Sequence, residues 1–227
     1  MHSLDPRTTA LLVIDLQNDF LTLGGAYDRG GAVSQEARAL PARVAPVARA
    51  VKAQGGFVAA SLFTLWPDAH GEPMISPHLK QLRPFLAKGD FAAGSLGQAT
   101  VAELDGLVDV SVWKVAYSAF FNTQLDWVLR RGGVSSVVIA GIVTNGGVAS
   151  TARDAHMRDY HVTVLATAAP RPRPPCMMPR WPICARWRIS QRARTSWAGC
   201  PRERASRQAG HPERCLLYTS DAADDSL

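Results

Sequence analysis

Cysteine is missing from most of this chain. Residues 1–169 contain none, and all four cysteines, Cys176, Cys184, Cys200 and Cys215, fall in the last quarter of 227 residues. That excludes a disulfide framework, a thiol nucleophile and a cysteine-based metal site from residues 1–169. A one-signed charge is missing there too. The formal net charge is +6, but residues 1–169 balance 14 Lys and Arg against 14 Asp and Glu, while 170–227 hold 11 Arg against 5 acids. The basic excess is therefore local, and no nucleic-acid partner is expected. No secretory leader and no apolar run long enough to span a bilayer appears, so a soluble cytoplasmic protein without a membrane partner is expected.

The last quarter lacks the residues that build cores. Between Leu165 and Leu216 there is no Leu, Val or Phe, while eight Pro, three Trp and eleven Arg crowd in. Reading the codons of "CMMPRWPIC" (176–184) one base back yields a set of peptides that includes VHDAALADL. That peptide has the pattern of an amphipathic helix with an acid near its start. The frame is therefore read as slipping near residues 166–173. The ending "CLLYTSDAADDSL" (215–227) resembles a translated sequencing adapter. Three segments follow: a folded domain over 1–169, an out-of-frame segment over 170–214 that is expected to be disordered, and an adapter artefact over 215–227.

Within 1–169, short apolar runs alternate with helical patterns. "TALLVIDLQ" (9–17) reads as a strand buried on both faces, followed by a helix over 33–54 that closes at Gly55 and Gly56. "FVAASLF" (57–63), "LVDVSVWK" (107–114), "VSSVVIAG" (134–141) and "HVTVLAT" (161–167) read as further strands, with helices over 120–133 and 147–160 and a long excursion over 64–106. This alternation predicts an α/β fold with a mainly parallel sheet.

Ligands of such sheets sit beyond the carboxyl ends of the strands. Asp15, Lys114 and the turn Thr144-Asn145-Gly146-Gly147 all fall there. A buried Asp needs a partner, and Lys114 is the candidate. Glycine at the start of a helix leaves backbone N–H groups open to an anion or oxyanion. Phe20, Phe63, Trp66 and Tyr117 either line an apolar pocket or belong to the core. Asp68, His70 and His78 are read as solvated rather than as metal ligands, and no cofactor is called for.

"TALLVIDLQNDFL" and "WKVAYSAFFNTQLDWVLRRGGVSSVVIAGIVTNGGVASTARDA" resemble the isochorismatase-like hydrolases, or cysteine hydrolase superfamily, over residues 8–169. The resemblance implies a three-layer α/β/α sandwich with a six-stranded parallel sheet, a cis peptide between Ile142 and Val143, and a homo-oligomer (dimer or tetramer) when in frame. Amidase members use an Asp-Lys-Cys triad, which places Asp15 and Lys114 in catalytic roles and sets Gly147 where the cysteine would stand. Without a thiol the acyl-enzyme route is closed. Isochorismatases also lack that cysteine, and protonate a vinyl ether from the Asp. The resemblance thus implies hydrolysis of a vinyl ether or C–N bond in a small, anionic metabolite by Asp15/Lys114 acid–base chemistry. A ligand-binding pseudoenzyme and a water-activating amidase are the alternatives. Resequencing the gene is expected to show one base gained or lost between the codons of residues 166 and 173; an intact frame there overturns the frameshift reading.

Overall fold

Alternation along the first buried run sets the centre of the fold. The computed structural model describes residues 4–166 and 216–219. Its elements run β1 (Thr9–Ile14), α1 (Asn18–Leu21), α2 (Ala26–Arg29), α3 (Gln35–Arg38), α4 (Leu40–Ala53), β2 (Phe57–Phe63), α5 (Pro77–Leu82) and β3 (Val110–Lys114). They continue with α6 (Leu125–Arg131), β4 (Ser136–Gly141), a π-helical turn at Thr144–Val148, α7 (Ala149–Met157), β5 (His161–Ala166) and β6 (Leu216–Thr219). Successive side chains leave a strand on opposite faces. Ala10, Leu12 and Ile14 enter one core and Leu11 and Val13 the other. Two apolar faces need two covering layers. Leu125, Leu129 and Ala155 of α6 and α7 cover the first, and Val44, Ala45, Ala48 and Val51 of α4 cover the second. The result is the three-layer α/β/α sandwich.

The sheet order is β3-β2-β1-β4-β5-β6. Strands β1 to β5 are parallel, whereas β6 pairs antiparallel with β5. A sixth parallel strand was implied by the resemblance; the sixth strand here is antiparallel and comes from within the stretch read as adapter. The segment 170–214 lies outside the described residues. From β1 the chain builds outward through β2 to β3, then returns to add β4 and β5 on the other side. The β1–β4 boundary is therefore the topological switch point, where a crevice opens beyond the carboxyl ends of the strands.

Several elements are shorter than the sequence pattern suggests, each for a local reason. β1 stops at Ile14 because Asp15 turns into the left-handed region with φ 57°. β3 begins at Val110 because the Asp109 carboxylate, not a backbone carbonyl, takes the Val58 N–H at 2.9 Å. The helix expected over 33–54 is split at Ala39, just before Pro41. The helix expected over 120–133 begins at Leu125, where the Thr123 hydroxyl accepts the Leu125 N–H.

Gly141 lets β1 and β4 approach at the switch point. Its φ is 140°, and a Cβ there would lie 2.1 Å from the Ile14 carbonyl oxygen. Neither the conformation nor the space admits a side chain. Gly141→Ala is expected to cost about 3 kcal/mol or more in urea denaturation, because the clash is with backbone that cannot yield. A loss well below that would show that β1 and β4 can separate cheaply.

Candidate active site

The site begins where β1 ends. The Asp15 N–H donates to the Ser61 carbonyl at 3.1 Å, and the Gln17 N–H donates back to the Asp15 carbonyl at 2.9 Å, closing a tight turn. Lys114 is the last residue of β3, and β2 lies between the two strands. Their side chains nevertheless meet across β2: Lys114 Nζ is 2.8 Å from Asp15 Oδ2, with side-chain exposures of 2% and 8%. The intervening strand permits this by presenting a small residue. Ser61 pairs in register with Ile14 on one side and Val112 on the other, and its hydroxyl donates to Asp15 Oδ1 at 2.9 Å. Lys114 spends its remaining donors on the carbonyls of Ala116 (2.9 Å) and Tyr117 (3.0 Å). An ammonium has three donors, and all three are used.

Burial pushes the Asp15 carboxyl above the usual carboxylate range. The Lys114 ammonium, the Ser61 hydroxyl and the field of Arg83 oppose that rise without cancelling it. A carboxyl raised this way is a stronger base when ionised and a usable acid nearer neutrality.

The far wall comes from β4. The Ile142–Val143 peptide is cis. The Val143 carbonyl accepts from the N–H groups of Gly146 (3.0 Å) and Val148 (3.3 Å), so the chain leaves β4 through a wide π-helical turn. The regular helix expected from Gly147 starts instead at Ala149. Gly146 and Gly147 are buried, whereas Thr144 and Asn145 are exposed. A Cβ on Gly147 would stand 3.2 Å from Asp15 Oδ2, and one on Gly146 would stand 3.3 Å from the Tyr117 ring. Asp15, Lys114, Tyr117, Gly146 and Gly147 therefore converge.

The other expected residues divide. The Phe20 ring packs 4.6 Å from Tyr27 and 4.5 Å from Phe91, in a cluster that includes Phe63, the register partner of Lys114. Trp66 is half-exposed and packs on Trp113, which alternation sets on the sheet face opposite Lys114. Among the described residues no group of three or more His, Cys, Asp or Glu is placed to hold a metal. The Asp68 carboxylate accepts the N–H groups of His70 and Glu72 within its own loop.

Three residues that the sequence reading passed over belong here. Ser61 lies inside β2, two residues before its end, within an apolar run. Tyr27 and Arg83 carried no signal: they lie on a four-residue helix and at the end of α5, where no periodicity exists to read.

The ion pair makes a signed prediction. In Lys114→Met, Asp15 stays buried without its cation, and its folded pKa rises further. A carboxyl whose folded pKa exceeds its unfolded value stabilises below the unfolded pKa, and that contribution is lost as pH rises through the folded pKa. The variant is expected to be nearest wild type in acid and to lose about 3–5 kcal/mol at neutral pH. Denaturant unfolding across pH checks this; a loss independent of pH would mean that Asp15 is not ionised beside Lys114.

The isochorismatase domain profile matches residues 9–174. The ureidoacrylate amidohydrolase RutB of Methylobacterium radiotolerans is 36% identical over 182 residues, covering 73% of this chain and 68% of the relative. The enzyme of the same name from Caulobacter vibrioides is 35% identical over 175 residues, covering 72% and 77%. Among solved structures, the cysteine hydrolase of Pseudomonas syringae superposes with a TM-score of 0.62 at 25% identity, covering 74% of this chain and 75% of that one. The N-carbamoylsarcosine amidase of Thermoplasma acidophilum does so with 0.59 at 27%, covering 74% and 87%. With the profile spanning most of the chain, this protein belongs to the isochorismatase family of hydrolases.

Proposed function

We propose that the chain hydrolyses a C–N bond in a small anionic metabolite, with water as nucleophile and Asp15 as the proton-transfer group. The observation that carries this reading is the meeting of Gly147 and Asp15. A side chain at 147 would start 3.2 Å from Asp15 Oδ2, so with glycine the neighbour of the carboxylate here is backbone and position 147 sets no side-chain nucleophile beside it. Relatives that share about a third of their residues are named for amide and ureide hydrolysis, which favours the C–N bond. Asp15 takes a proton from water as the oxygen attacks the carbonyl carbon, then returns it to the departing nitrogen. Lys114 holds the carboxylate in place and offsets its charge. A second reading, protonation of a vinyl ether by Asp15, is favoured by the raised carboxyl.

The direction of the pH profile separates the two. With Asp15 as the initial base, kcat/KM rises with pH through a midpoint above the usual carboxylate range; with Asp15 as the initial acid, it falls through that midpoint. Ammonia release from a panel of ureido and amido carboxylates, set beside carbonyl release from enol ethers, supplies the assay. Asp15→Asn is expected to abolish either activity while keeping the shape. Iodoacetamide is expected to leave turnover of the frame-corrected enzyme unchanged, because residues 1–169 contain no cysteine. Inactivation by the reagent would refute the cysteine-free mechanism.

A further inference from the structure

Resting on the anionic-substrate reading above, we infer that Arg83 and Tyr27 form a carboxylate-recognition subsite that decides which substrates reach Asp15. Arg83 follows α5 and turns its guanidinium onto Tyr27: Nε donates to the Tyr27 hydroxyl, and the guanidinium carbon sits 5.6 Å from the centre of the Tyr27 ring. Its Nη1 is buried and has no hydrogen-bond partner, the one such side-chain atom among the described residues. No carboxylate among the described residues forms an ion pair with it. The two acids that flank the loop are taken, Asp28 by Arg38 and Asp90 by Arg29. A buried donor left unmade is costly, and more so on a charged group.

Tyr27 adds a second open donor. Its oxygen accepts from Arg83, and no hydrogen bond among the described residues uses its own proton. Burial raises the phenol to about 12, so that proton is present at any physiological pH. The pair is fixed in place, because the Tyr27 ring packs 4.6 Å from Phe20 and edge-on at 5.2 Å from Phe85. Arg83 lies within electrostatic reach of Asp15, and Tyr27 within reach of both Asp15 and Tyr117.

These observations select the ligand chemistry. A guanidinium N–H beside a phenol O–H presents two donors and a positive charge, which suits an oxyanion. The flanking rings of Phe20 and Phe85 favour a carboxylate on a short carbon chain. Binding would give the buried Nη1 the acceptor it lacks. A neutral amide in the same place offers one carbonyl oxygen and no charge, so it leaves the guanidinium uncompensated. The subsite therefore acts as a charge filter for one end of the substrate while Asp15 works on the other.

Binding of propionate and of propanamide to the full chain, followed by calorimetry or intrinsic fluorescence, tests this without requiring turnover. Wild type is expected to bind propionate saturably at millimolar concentration and to bind propanamide far more weakly. Arg83→Met should weaken propionate by about tenfold or more, and Tyr27→Phe, which keeps the ring packing, by about fivefold. Arg83→Lys keeps the charge but not the fork, and should fall between wild type and Arg83→Met. Asp15→Asn should still bind propionate, so a failure of the hydrolytic reading leaves this result intact. No saturable propionate binding by wild type, or equal binding by Arg83→Met or Tyr27→Phe, overturns the subsite.

Discussion

The buried Asp15–Lys114 pair is the constraint to which the rest of the site conforms. Two charges must meet from strands that are not neighbours, across β2 and almost out of contact with water. The meeting demands a small hydroxyl residue at 61, a β1 that breaks in the left-handed region at Asp15, and a loop after β3 that folds back to offer two carbonyls to the Lys114 ammonium. Each demand fixes a piece of backbone, and together they hold the strand ends in register. Such pairs seldom stabilise a fold, because desolvating both ions cancels most of their attraction.

The sequence disclosed the parts of the site that follow from strand-end position. Asp15 and Lys114 close apolar runs, and in a parallel sheet such ends share one side, so their convergence follows from topology alone. Ser61 is a small residue inside an apolar run, which reads as packing. Trp66 shows the converse: it follows a strand closely, yet its ring turns to Trp113 on the other face. The five parallel strands were legible, whereas boundaries were set by individual side chains such as Asp109 and Thr123 that periodicity cannot see. Tyr27 and Arg83 come together only through tertiary packing, 56 residues apart in the chain.

Gly147 shows how far the site has adjusted to lacking a side chain. Its surroundings are close: a Cβ would meet the Ile142 carbonyl oxygen at 2.9 Å and Ile14 Cγ2 at 3.0 Å, as well as Asp15. Two of these neighbours belong to the strand ends that the ion pair holds, so they cannot withdraw without moving Asp15. A side chain at this position would thus press on the group that the proposed reaction uses for proton transfer. At this glycine β4 and its turn close in on Asp15, and burial is the largest cause of the carboxyl's raised pKa. The bare backbone at 147 and the buried carboxyl beside it are thus two parts of one packing arrangement.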